Sequence, residues 1–421
     1  MDSSLHKIAF LAVSTLRREV SAAAAVRRET RRHPSLNGRP PRLCMEVSLD
    51  TMALNFNYQN RWSYPIDIVA GVDAISSFPD VMKQVGAQRA MVLCGPGTSR
   101  SGIVERVQAA LGEQCVGVYT GVGFNGPGGH HVPKEILDET AALAHEWQPD
   151  VLIGLGGGRA DSTARALSAM IAKESGGEMP VVAVPTTISC AEISPGAKRA
   201  SSSSPRAFLI IDGRALATTP VRILQSTVFS QLRVAAECIC APTHNPIGDA
   251  LALRGISELV KYAPMLADRK PEVLVAAKLA ACLASLARFH SVTSQGVSTA
   301  VCHQAGGLYD LSHGEVHGIM FPHMLRFNLE VTAARQALIA EAMGIDISGM
   351  TDEQAGLAAA AKATEICKSF NLPTRLRDVG VPQDAMERIA TATLAEERAL
   401  ATNPKPVTTA APLVKMLQEA W

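Results

Sequence analysis

The chain has 421 residues, 47% hydrophobic and 19% charged, with a formal net charge of +1. That length accommodates two domains, each with its own core. Near-neutral charge leaves no electrostatic footprint for nucleic acid, and no uninterrupted run of eighteen apolar residues suggests a membrane span.

Residues 1–44 stand apart as a basic extension. They hold nine Lys/Arg, among them Arg17, Arg18, Arg27, Arg28, Arg31 and Arg32, against Asp2, Glu19 and Glu29. Such a segment reads either as a tail without fixed structure or as a mitochondrial transit peptide. The nine cysteines are scattered, odd in number and form no CxxC pair. They fit reduced thiols, hence a cytoplasmic location, or a mitochondrial one if the extension targets.

From about Val47 to Asp212, short apolar runs alternate with helical stretches. Ala90–Cys94, Cys115–Tyr119, Val151–Leu155 and Val181–Val184 are β-branched or apolar runs bounded by breakers, and read as buried strands. Pro133–Trp147 places Ile136, Leu137, Ala141 and Leu143 along a helix between two of them. The alternation implies an α/β domain over residues 45–215, built on a doubly wound parallel sheet with ligands at the strands' carboxyl ends. After Pro220 the strand signal ends. Val228–Cys240, Pro246–Ala267, Pro271–Phe289, Thr293–Ala305, Asp352–Phe370 and Gln383–Ala401 read as helices, giving an all-α second domain over residues 216–421.

Three strand ends carry phosphate-compatible turns. Gly156-Gly157-Gly158 follows one strand and opens a helix that holds Ser162. Gly95-Pro96-Gly97-Thr98 follows a second, and Pro185-Thr186-Thr187 follows a third. Glycines let backbone approach a pyrophosphate, and free amides at a helix start attract anions. The plainer reading is three tight strand-to-helix turns. In the helical half, His303, His313, His317 and His323 fall within twenty-one residues, among small and apolar neighbours. Imidazoles there can give or take protons near neutral pH. The alternative is hydrogen-bonded core histidines, and His323, after Pro322, suits that role. Cys302 adjoins His303, but neighbours on a helix face different ways, which argues against a Cys302–His303 dyad. Arg326, Lys198, Arg199 and Lys405 are cations that read either as solvated surface charges or as contacts for an acidic substrate.

These motifs resemble the iron-containing alcohol dehydrogenase superfamily, and most closely its maleylacetate reductase-like branch. The resemblance rests on the glycine and Pro-Thr-Thr turns, Phe56-Asn57-Tyr58, His131-Val132-Pro133, Glu192 to Pro195, Ala241 to Pro246, Ser312 to His317, Asn403 to Thr408 and Ala420-Trp421. It spans about residues 47–421. It implies a dehydroquinate synthase-like α/β domain followed by a helical domain, and it allows a homodimer. It implies NADH or NADPH at Gly95, Gly156, Gly157, Gly158, Ser162, Thr186 and Thr187. It implies catalysis by His303, His313 and His317 on a small-molecule substrate, an unsaturated or oxo acid.

Departures from the family pattern are also legible. Metal-dependent relatives use one Asp and three His. Ser230, Val234 and Thr299 occupy three of those positions, and only His313 remains. No tightly bound metal is therefore expected. Arg159 follows the glycine trio where a small or polar residue is usual, and Gly196–Ser204 is shorter than the family hairpin. These departures motivate an alternative without redox chemistry, a lyase, isomerase or decarboxylase using histidine acid-base chemistry. A binding protein without turnover is a third class.

Overall fold

A computed structural model describes residues 66–123, 132–177, 179–193, 207–291 and 296–421. The basic extension, Phe56-Asn57-Tyr58, His131, Ser194-Pro195 and the 196–204 segment with Lys198 and Arg199 lie outside the described residues.

Among the described residues, six strands form one sheet: β1 (Ile66–Gly71), β2 (Ala90–Cys94), β3 (Cys115–Tyr119), β4 (Val151–Gly156), β5 (Val181–Pro185) and β6 (Ala207–Asp212). Their order is β1-β6-β5-β4-β2-β3, and every neighbouring pair is parallel. The central strands β2, β4 and β5 are buried along their whole length. That burial on both faces explains why they read as continuous apolar runs. Side-chain alternation splits them between two cores. Val92, Ile153 and Val182 pack with Phe78, Met82 and Val107 on one face. Met91, Leu93 and Leu152 pack with Ala164 and Leu167 on the other.

The packing helices are α1 (Phe78–Val85), α2 (Ile103–Leu111), α3 (Lys134–Trp147) and α4 (Gly158–Ser175). The chain runs from β2 outward to β3, then returns past β2 to β4. The strand order therefore reverses between β2 and β4, the crevice where doubly wound sheets take ligands. Strands β1 and β6 were not among the sequence-derived strands. Asp67 interrupts the first, and the second follows the polar run 201–205 in sequence. They pair in register from Ile66↔Ala207 to Gly71↔Asp212.

Eight helices of eight or more residues follow among the described residues: α5 (Val221–Cys240), α6 (Pro246–Tyr262), α7 (Pro271–Ser291), α8 (Val297–Tyr309), α9 (His313–Ala342), α10 (Asp352–Ser369), α11 (Met386–Leu394) and α12 (Ala411–Ala420). Caps set several starts. Asn245 accepts from the amides of Ile247 and Gly248, with Pro246 at the first turn of α6. Thr351 and Gln354 form a capping box on α10. Helix α7 is long and apolar enough to cross a membrane by composition. It lies instead in the core, with Leu274, Ala277, Ala281 and Ala284 buried.

Two helical expectations need correction. The stretch Gln383–Ala401 is not one helix: it breaks after Leu394 and resumes as a four-residue turn, Glu397–Leu400. Glu396 is non-helical there (φ −82°, ψ 57°), and its side chain turns onto α8 instead. Helix α8 runs to Tyr309, four residues past the expected end. Helix α9 was not anticipated, because Gly314, Gly318 and Pro322 dilute its pattern; it kinks at Thr332 (φ −133°), whose hydroxyl donates to the Asn328 carbonyl at 2.8 Å.

A buried ion pair ties the turn after β5 to α7. Lys278 donates to Glu192 and to the Ser189 carbonyl, and both charged side chains are nearly inaccessible to solvent.

Candidate active site

Each phosphate-compatible turn sits at a carboxyl end of adjacent strands β5, β4 and β2. Backbone pairing holds two of them together: the Thr186 amide donates to the Gly156 carbonyl at 2.9 Å. Glycine is required where the turns close up. A Cβ at Gly95 would lie 2.8 Å from the Val122 carbonyl oxygen, and one at Gly158 would lie 3.1 Å from Ala191 Cβ. Helix α4 begins at Gly158 with Gly157 as its N-cap, which brings no side chain to the first amides. A pyrophosphate fits this chemistry. Gly95 lines a cavity of about 620 Å³ with Thr98, Tyr119, Val122, Glu139 and Arg159. The Tyr119 hydroxyl donates to Glu139 at 2.6 Å, and burial together with that carboxylate pushes it up to about 12. Thr187 is half-buried and shares a 2.8 Å hydrogen bond with Ser189, whereas Thr186 is buried.

A second cavity of about 570 Å³ joins the α/β and helical parts. Gly158, Arg159 and Ser162 form its α/β side; His303, His313 and His317 form its helical side. Arg159 borders both cavities. The three histidines named from sequence are thus brought together. His303 stacks on His313 with ring centroids 5.9 Å apart at 21°, and His313 meets His317 edge-on at 4.6 Å. His323 lines neither cavity. Burial, then Arg326 and Arg375, lower its pKa to about 4.

Local structure fixes each ring. His303 Nδ1 lies 3.1 Å from Glu396 Oε2, and the same carboxylate accepts from Gln304 Nε2 at 2.6 Å. His317 is fully buried, with Nδ1 3.5 Å from Ser298 Oγ. Cys302 does form a pair, with His313 rather than His303: Sγ is 3.1 Å from His313 Nδ1. One turn separates the two helices that carry them, so the thiol crosses to α9. Burial raises the Cys302 pKa.

The residues present do not fit the metal of the resembling enzymes. Ser230, Val234 and Thr299 do line the same cavity as His313, but valine has no donor, and one imidazole with two hydroxyls suits neither iron nor zinc. A different trio, Cys302, His313 and His317, places donor atoms within 4.8 Å of one another. Its thiol would have to ionise against the burial that holds it protonated.

The sequence missed three contributors. Glu396 lay inside an assumed helix. Arg233 and Arg288 also line the second cavity; their helical spacing alone gave no sign of it. Of the cations named from sequence, Lys405 pairs with Glu330 at 2.9 Å, and neither it nor Arg326 borders either of these two cavities.

Comparison with known proteins matches this geometry to one family. Residues 65–219 match the model of iron-containing alcohol dehydrogenase, and residues 226–421 that of the Fe-containing alcohol dehydrogenase family, C-terminal. The chain belongs to the iron-containing alcohol dehydrogenase family. It is an oxidoreductase of that family, which sets the redox reading above the lyase, isomerase or decarboxylase alternative. It is similar to maleylacetate reductase 2 of Cupriavidus pinatubonensis, 29% identical over 297 residues, covering 67% of this chain and 77% of the relative. A maleylacetate reductase of Burkholderia cepacia is 28% identical over 335 residues, 77% of this chain and 87% of its own length. The crystal structure of maleylacetate reductase from Agrobacterium tumefaciens shares the fold, with a TM-score of 0.70 at 21% identity over 86% of this chain and 99% of that one.

Proposed function

We propose that this family member is an NAD(P)H-dependent reductase of a small unsaturated or oxo acid, similar to maleylacetate reductase, working without a tightly bound metal ion. One observation carries the reading: a single cavity has the dinucleotide-type turn at Gly158 and Ser162 on one side and His303, His313 and His317 on the other.

Gly95, Gly156 to Gly158 and the Thr186-Thr187 turn would hold the dinucleotide through backbone amides and hydroxyls. A bound reduced nicotinamide supplies the hydride. Reduction of an unsaturated or oxo acid would also require one proton. His313, with its Nδ1 beside Cys302, and His303, with its Nδ1 beside Glu396, would deliver that proton.

The test is oxidation of NADH and NADPH by the purified protein with maleylacetate, in the presence of EDTA. Turnover that persists under chelation is the expected result. No dinucleotide binding and no turnover would overturn the reading.

A further inference from the structure

The cavity beside the histidines has a cationic wall with unmet donors. Arg233 on α5 is 7% exposed, and its Nη1 donates to Glu237, which is equally buried. Its Nε has no hydrogen-bond partner. Thr299, 2% exposed on α8, borders the same cavity, and its hydroxyl has no hydrogen-bond partner either. Arg288 on α7 is the second cation of this wall. Burial, and then Arg233 itself, hold its pKa below the ordinary arginine value, so the two guanidinium groups feel one another. Glu237 is the carboxylate that both arginines face, and burial pushes its pKa up. Two guanidinium groups thus stand on this wall of the cavity.

Buried N–H and hydroxyl groups without partners are costly, and a native site that keeps them calls for a ligand that meets them. A carboxylate does so. It is planar, accepts several hydrogen bonds and takes two at once from a guanidinium fork. A neutral alcohol or aldehyde brings one oxygen and no charge. Ser230 and Val234, where metal ligands are missing, border the same cavity. Fixed guanidinium charge thus stands where a mobile cation would otherwise be needed.

We propose that Arg233 and Arg288, with the Thr299 hydroxyl, seat a substrate carboxylate, so that the enzyme selects carboxylate anions over neutral alcohols and aldehydes. The proposal deepens the reductase reading, but binding at this seat requires no hydride transfer.

Calorimetry on the full chain without cofactor tests it, using maleate and its neutral diamide, maleamide. Maleate should bind at least about ten-fold more tightly than maleamide. Arg288→Gln should remove about that preference while NADH binding, read by fluorescence, stays unchanged. Arg288→Lys should restore part of it. Arg288 is the better site to vary, because removing Arg233 would leave Glu237 buried without its partner. Equal affinity for the two ligands, no binding of maleate at millimolar concentration, or unchanged maleate binding by a folded Arg288→Gln would overturn the proposal. If Arg288→Gln fails to fold, the two ligands on the unaltered protein still decide. Maleate binding by a protein that neither binds NADH or NADPH nor turns over with maleylacetate would refute the reductase reading and leave the carboxylate seat standing.

Discussion

The Cys302 thiol and His313 Nδ1 face one another across 3.1 Å, from α8 to α9. Burial keeps the thiol protonated, so it can donate to Nδ1. A second acceptor, the His313 carbonyl oxygen, is farther away at 3.6 Å. Donation to Nδ1 would leave the neutral ring's proton on Nε2, which suits proton delivery.

His313→Ala should lower kcat by about 10²–10⁴-fold, with a smaller effect on KM. Cys302→Ala should show a part of that loss and an altered pH–rate profile, because the tautomer is no longer fixed. Cys302→Ser keeps a donor and should recover most of the activity. A Cys302→Ala enzyme with unaltered kcat and pH profile would remove the thiol from this role.

Metal dependence is open to direct measurement. Protein dialysed against EDTA should retain its turnover, and elemental analysis should find no stoichiometric iron or zinc. Introducing the resembling enzymes' ligands through Ser230→Asp, Val234→His and Thr299→His should create metal binding that the parent lacks. Activity lost on chelation, restored by zinc and absent from Cys302→Ser would instead assign a zinc site to Cys302, His313 and His317.

The Lys278–Glu192 pair joins α7 to the turn after β5 and is almost wholly buried. Lys278→Met alone should destabilise the protein by about 3–5 kcal/mol, because it strands a buried carboxylate. The double variant Lys278→Met, Glu192→Leu should recover most of that loss. Denaturant unfolding followed by circular dichroism measures both. A single variant as stable as the parent would show that water or another cation reaches Glu192.

His323 gives a pH dependence with a definite sign. Its pKa falls from the usual 6.5 to about 4, owing first to burial and then to Arg326 and Arg375. The unfolded chain therefore binds this proton at higher pH than the folded one. Stability should decline as pH falls from about 6.5 toward 4, by roughly 2–3 kcal/mol for this group. His323→Leu should flatten that part of the stability curve. An unchanged slope would mean the ring is protonated inside the fold.

Sequence by itself determined the strands β2 to β5, the turns at their ends and the change from alternating to all-helical pattern near residue 216. Each is a local signal: an apolar run, a glycine cluster, a period. The resemblance also implied, from residue identities, that Ser230, Val234 and Thr299 stand where metal-dependent relatives carry ligands. Only the tertiary structure decided what meets in the second cavity. Arg233 and Arg288 lie on helices separated by α6, and Glu396 is ninety-three residues from His303. Cys302 reaches His313 because the turn between α8 and α9 folds one helix back on the other. Contacts between residues distant in the chain depend on helix packing, and periodicity along one helix carries no record of the helix that will lie against it.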